Sequence, residues 1–136
     1  MKTLNILLIE DDMIEVMKLN RAILSLKLNH NIIEANNGEE ALKILEKKDE
    51  LPDIILLDLN MPKINGIEFL NILKKDAVLK YIPTIILTTS NNQKDLLECY
   101  KIGIAGYILK PLKYEEYVSK IEKLLAYWSI NELKQV

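Results

Sequence analysis

The chain has one cysteine, Cys99, and one histidine, His30. A single cysteine excludes an internal disulfide framework, and that usage fits a reducing compartment. The same scarcity leaves no His/Cys set from which to build a zinc site. Glycine is sparse too, with four residues in 136. Neither a phosphate-cradling P-loop nor a dinucleotide-binding glycine fingerprint is present. The 18 Lys and Arg residues are scattered among 20 Asp and Glu, for a net charge of −2. With no basic block, the electrostatic footprint of a nucleic-acid binder is missing. No apolar run approaches the length of a membrane span. The segment Met1–Ile9 is too short for a signal core and lacks a small-residue cleavage site. These absences point to a soluble, cytoplasmic protein with neither nucleic acid nor membrane among its partners.

What the chain does have is alternation. A hydrophobic fraction of 49% and a charged fraction of 28% are those of a globular domain, and the length suits a single one over 1–136. Strand-length apolar runs occur at Leu4–Ile9, Asp53–Leu57, Thr84–Leu87 and Gly106–Leu109, with a weaker one at Asn31–Ala35. Ile54–Leu57 and Ile85–Leu87 carry no polar alternation, as strands buried on both faces do. Helix-length segments lie between them. The first is expected from about Met13 to about Leu26. Asn37 with Glu40, and Asn65 with Glu68, resemble capping boxes with asparagine as the cap. Tyr117, Ile121, Leu124, Leu125 and Trp128 recur at helical spacing. Five strand–helix units in strict order predict an α/β fold, a doubly wound parallel sheet with five helices and right-handed crossovers. There is no linker, repeat or low-complexity tract, and no attached output domain is expected.

In such a sheet, ligands bind beyond the carboxyl ends of the strands. The residues at those ends therefore define the candidate site. Glu10, Asp11 and Asp12 follow the first run, Asp58 the third, Thr88 closes the fourth, and Lys110-Pro111 follows the fifth. Taken alone, the three leading acids read as helix caps. Asp58, placed at the end of four buried aliphatics, has little structural reason to be there. Carboxylates crowded into one pocket repel, and a hard, oxygen-seeking cation such as Mg2+ relieves them. Lys110 could neutralise the acids, or it could join the Thr88 hydroxyl in surrounding a phosphoryl group. Asp58 is then a candidate nucleophile. The Lys110–Pro111 bond is expected to be trans, the default for a proline that ends a strand.

Glu10-Asp11, Asp58-Leu59-Asn60-Met61-Pro62 with Gly66, Thr88, and Tyr107 ahead of Lys110-Pro111 closely resemble the receiver domain of bacterial response regulators. The resemblance runs from Leu4 to about Trp128, in the family's order and spacing. It implies a flavodoxin-like sheet in the order 2-1-3-4-5, a strand order that the family itself exemplifies. It further implies that Asp58 is the phosphoacceptor, that Asp11 and Asp58 ligate Mg2+ with Glu10 nearby, and that Asn60 offers a backbone carbonyl. Lys110 is implied to pair with phosphoryl oxygens, while Thr88 and Tyr107 form the switch. The implied partners are a sensor histidine kinase or phosphotransfer protein and a downstream protein target. His30, in a polar stretch, is expected to be surface filler rather than a phosphate relay.

Three features depart from the family pattern. Thr89 stands where alanine is common, which would tighten access to the phosphoryl group. Asp12 is an additional acid, read as a cap. Residues 127–136 are read as a C-terminal extension, and the Tyr127-Trp128 pair resembles stand-alone receivers that serve phytochrome-type kinases. That pair is also a candidate homodimer contact. Tyr107 is taken as the switch aromatic, whereas Tyr100 and Tyr117 are expected in the core. Two rival readings remain at this point. A haloacid-dehalogenase-type phosphohydrolase needs a second Asp two residues after the nucleophile, where this chain has Asn60. A receiver-fold module that is never phosphorylated would not require the full acid, hydroxyl and lysine set.

Overall fold

The computed structural model describes residues 2–61 and 64–133, so Pro62 and residues 134–136 of the expected extension lie outside the described residues. Strands and helices alternate as β1 (Asn5–Ile9), α1 (Met13–Ser25), β2 (Asn31–Ala35), α2 (Gly38–Leu45), β3 (Ile54–Leu57), α3 (Gly66–Lys75), β4 (Thr84–Thr88), α4 (Gln93–Ile102), β5 (Gly106–Leu109) and α5 (Tyr114–Ser129). A short 3₁₀ turn, Leu79–Tyr81, leads into β4. The strands form one parallel sheet in the order β2-β1-β3-β4-β5. The five strand–helix units are those the sequence pattern predicts, and the strand order is the one the family resemblance implies. Tyr127 and Trp128 belong to α5 itself.

The two-residue repeat of the strands divides the core in two. Leu7, Ile9, Ile55, Leu57 and Ile86 face α2, α3 and α4, where Leu45, Phe69, Leu70 and Cys99 pack against them. Ile6, Leu8, Ile54, Leu56, Ile85 and Leu87 face α1 and α5, against Leu19, Ala22, Tyr117, Ile121 and Leu125. Both faces of β1, β3 and β4 are thus covered, which is why their sequences show no polar alternation.

Four of the five helices start on a side chain that accepts backbone N–H groups. Asp12 accepts from Ile14 N at 2.9 Å, Asn37 from Glu40 N at 2.8 Å, and Asn92 from Lys94 N at 2.8 Å. Asn65 and Glu68 form a reciprocal capping box. At α2 the return bond is displaced, with Glu40 Oε1 accepting from Asn36 N at 3.3 Å. At the outermost strand β5, Lys120 of α5 donates to Leu109 O at 2.8 Å.

Two expectations are corrected. Tyr100 is 52% exposed, because α4 buries little besides Cys99 and Tyr100 lies on its outer side. Tyr117, by contrast, is buried as expected. His30 is not surface filler, since it is half-buried and its Nδ1 accepts a hydrogen bond from Leu4 N at 3.0 Å. Leu4 precedes β1 and has no strand neighbour for that N–H, so the imidazole ties the start of β2 to the start of β1.

Burial lowers the pKa of His30 below its ordinary 6.5. A base depressed on folding holds fewer protons in the folded chain than in the unfolded one, so its contribution is complete above the unfolded pKa. It is lost as pH falls from there toward the lower folded value. Urea denaturation of wild type beside His30→Ala should therefore show a variant deficit of about 1 kcal/mol at neutral pH, from the lost acceptor, that shrinks as pH falls from about 7 to about 5.

Candidate functional site

Strand register brings the polar residues together. Ile9 pairs with Leu57, so Glu10 and Asp58 each stand one residue beyond adjacent strand ends. The ladder continues through both, with Glu10 N donating to Ala35 O at 3.0 Å and Asp58 N to Ile9 O at 3.1 Å. On the other side, Lys110 N donates to Thr88 O at 2.8 Å. The functional side chains are therefore set on ladder backbone rather than on free loops. The position is the switch in strand order between β1 and β3, where such folds open a crevice.

Glu10, Asp11 and Asp58 each present a carboxylate oxygen, and the three atoms lie within 4.8 Å of one another. Glu10 and Asp58 are buried, while Asp11 faces solvent. Lys110, with a side chain only 5% exposed, places Nζ 2.5 Å from Glu10 Oε1, 3.1 Å from Glu15 Oε1 and 3.9 Å from Asp58 Oδ2. Burial pushes the Glu10 carboxyl up to about 7, and the Asp58 charge adds to that rise while Lys110 opposes it. Burial works against the Lys110 ammonium, but the carboxylates of Glu10, Asp58 and Glu15 outweigh it and raise its pKa above the ordinary lysine value.

An all-oxygen set with surplus negative charge suits a hard divalent ion and excludes the soft ligands that zinc prefers. Magnesium fits this site. Asp11 and Asp58 would hold it with Glu10 beside them, and when bound it supplies positive charge against an anionic ligand. Asn60 lies two residues beyond Asp58, and its N–H donates to Asp58 Oδ1 at 3.4 Å. Asp12 caps α1, as the sequence suggested.

The remaining residues line the opposite wall. Thr88 is fully buried, and its hydroxyl oxygen accepts from Ser90 N at 3.3 Å. Tyr107, half-buried on β5, donates its hydroxyl to Ser90 O at 2.7 Å. Ser90 thus bonds to both expected switch residues, a link that sequence alone did not reveal. Glu15 was missed as well. It stands three residues before Lys18 on α1, a spacing that shares one helix face. No cis peptide bond occurs among the described residues, so Lys110–Pro111 is trans as expected. Gly66 has a specific role in the pocket. A Cβ there would sit 2.7 Å from Leu59 Cα and 2.9 Å from Asp58 O, so only glycine lets α3 approach the backbone that follows β3. Its N–H donates to Leu59 O at 3.1 Å.

Residues 6–122 match the family model described as the response regulator receiver domain. The chain belongs to that family, which is a family of signalling domains rather than of turnover enzymes. Among curated relatives, response regulator Rcp1 of Synechocystis is 30% identical over 128 residues, covering 90% of this chain and 87% of that protein. The probable methanogenesis regulatory protein FilR2 of Methanothrix harundinacea is 35% identical over 127 residues, covering 90% and 82%. Among solved structures, the phosphorylated cyanobacterial phytochrome response regulator RcpA superposes with a TM-score of 0.91 at 29% identity, covering 98% of this chain and all of that one. The Mn2+-bound form of Rcp1 gives a TM-score of 0.88 at 28% identity, covering 97% and 99%. This chain is therefore a receiver-domain response regulator of the two-component type, similar to the Rcp1 and RcpA group. The phosphohydrolase alternative is set aside.

Gly66→Ala forces backbone apart rather than a flexible side chain. Urea denaturation should show a loss of about 1–3 kcal/mol, as overpacking costs elsewhere. Mg2+ affinity measured by calorimetry should fall with it, because the shifted backbone carries Asp58.

Proposed function

We propose that Asp58 accepts a phosphoryl group from a phosphohistidine on a sensor histidine kinase or phosphotransfer protein. The observation that carries this reading is one nearly buried carboxylate flanked by two acids and faced by a buried ammonium. An Asp58 carboxylate oxygen forms a bond to phosphorus, the P–N bond of the donor breaks, and its electron pair returns to the donor imidazole. Lys110 balances the charge that collects on the phosphoryl oxygens, and the buried Thr88 hydroxyl supplies a further hydrogen bond. Exposed apolar side chains follow the site residues closely in sequence: Met13, Ile14 and Met17 after Asp11, and Leu112 after Lys110. Exposed apolar side chains so placed suit a donor protein that must bring its imidazole to Asp58.

The output follows from Ser90. Movement of the Thr88 hydroxyl toward an anion on Asp58 breaks or redirects its bond from Ser90 N. Ser90 O holds Tyr107, so the same movement reaches the surface of α4 and β5. The two arrangements form a population shift that a downstream protein reads. No described helix is long and apolar enough to cross a membrane, and we place the protein in the cytoplasm with its kinase's catalytic domains.

A second copy of the chain is the partner we assign to the groove between β5 and α5. The groove holds about 600 Å³ and is lined by Ile108, Leu109, Leu124, Tyr127 and Trp128, with Lys120 and Lys123. Tyr127 is 57% exposed and meets Trp128 edge-on, the ring centroids 5.1 Å apart. Aromatic anchors of this kind dominate interface energy.

Two outcomes are expected. Asp58→Asn should take up no label from acetyl phosphate with Mg2+, yet remain folded. In metal-free buffer it should be more stable by on the order of 1 kcal/mol, since one repelling charge is gone. Unchanged labelling would place the acceptor elsewhere. Light scattering should show a dimer that Tyr127→Asp dissociates, and a monomer both with and without phosphorylation would reject the dimer.

A further inference from the structure

Glu15 is an acid at the pocket that neither the metal cluster nor the acceptor chemistry employs. It lies in the first turn of α1 with a side chain 19% exposed. Its Oε2 accepts a hydrogen bond from Lys18 Nζ at 3.2 Å. Its Oε1 is buried and accepts no hydrogen bond, although Lys110 Nζ stands only 3.1 Å away. That contact is a charge pairing without hydrogen-bond direction. Lys18 is itself held in place, with Nζ 4.6 Å from the ring centroid of buried Tyr117 on α5. Glu15 is thus held through Lys18 against α5, while its other oxygen faces the site lysine.

We propose that Glu15 is a positioning residue that draws Lys110 away from Asp58 and so weakens the hold of the pocket on a phosphoryl anion. The proposal rests on the reading of Asp58 as the acceptor. Lys110 has one charge and three carboxylate neighbours, and it sits closer to Glu10 and Glu15 than to Asp58. To pair with an anion on Asp58, the ammonium must leave part of that company. Glu10 belongs to the metal cluster and is offset by the cation when it binds. Glu15 is not in that cluster, so its competition for Lys110 persists in the metal-loaded site. Because the ammonium is almost wholly buried, solvent screens this competition far less than it would on the surface.

The test uses beryllofluoride, an acyl-phosphate mimic, titrated calorimetrically into the full chain with saturating Mg2+. Four proteins form a double-mutant cycle: wild type, Glu15→Gln, Lys110→Ala and the double variant. Glu15→Gln should tighten beryllofluoride about threefold to tenfold in the wild-type background and leave it unchanged beside Lys110→Ala. Glu15→Asp keeps the charge but retracts it by one methylene, and should fall between wild type and Glu15→Gln. Equal tightening in both lysine backgrounds would show a general charge effect and overturn the role through Lys110. No change, or weaker binding, in Glu15→Gln would overturn it too. Asp58→Asn serves as the control for the parent reading. If wild type binds no more beryllofluoride than that variant, the acceptor assignment fails and this inference falls with it.

Discussion

Too many negative charges at one sheet edge govern this molecule. Four carboxylates, from Glu10, Asp11, Glu15 and Asp58, surround a pocket in which Lys110 supplies the buried positive charge. Parallel pairing of β1 with β3 makes the crowding unavoidable, because Glu10 and Asp58 extend the same ladder by one residue. The fold tolerates this through burial that raises the Glu10 carboxyl to about 7, through Lys110, and through a site suited to a divalent ion. Charge that is costly at rest becomes a receptive environment once cation and phosphoryl group arrive together.

The rest of the structure serves to hold that edge still. Two apolar layers grip the sheet, and the helix starts are fastened by Asp12, Asn37, Asn65 and Asn92. Those caps stand on the same side as the strand ends that carry the site, so each helix enters at a fixed angle. Gly66 lets α3 close onto the backbone of Asp58 and Leu59. Against this rigid frame, the contacts of Ser90 with Thr88 and Tyr107 form a short path that can change without disturbing the core.

Much of this was legible in the sequence because physical need leaves a local trace. Ile54–Leu57 reads as a doubly covered strand since no polar residue fits there, and an asparagine three residues before a glutamate marks a helix start. The pocket was legible because its main residues stand at, or within two residues of, the carboxyl ends of strands. What stayed hidden depends on how elements sit beside one another. Glu15 meets Lys110 across 95 positions of sequence only because α1 is turned so that its first-turn acid faces β5. His30 meets Leu4 through the register of β1 with β2. Tyr100 looked like core material, yet α4 presses only one narrow side onto the sheet.

The contact between Lys120 and Leu109 O has a bearing on how copies of the chain can meet. An outer strand normally offers bare carbonyls and amides to any passing strand, an invitation to runaway association. Here a lysine from the neighbouring helix occupies one of those carbonyls and places a charge along the border. Strand addition is thereby discouraged at β5. Any surface that meets this border is left with the side chains of the helix, rather than backbone, to engage.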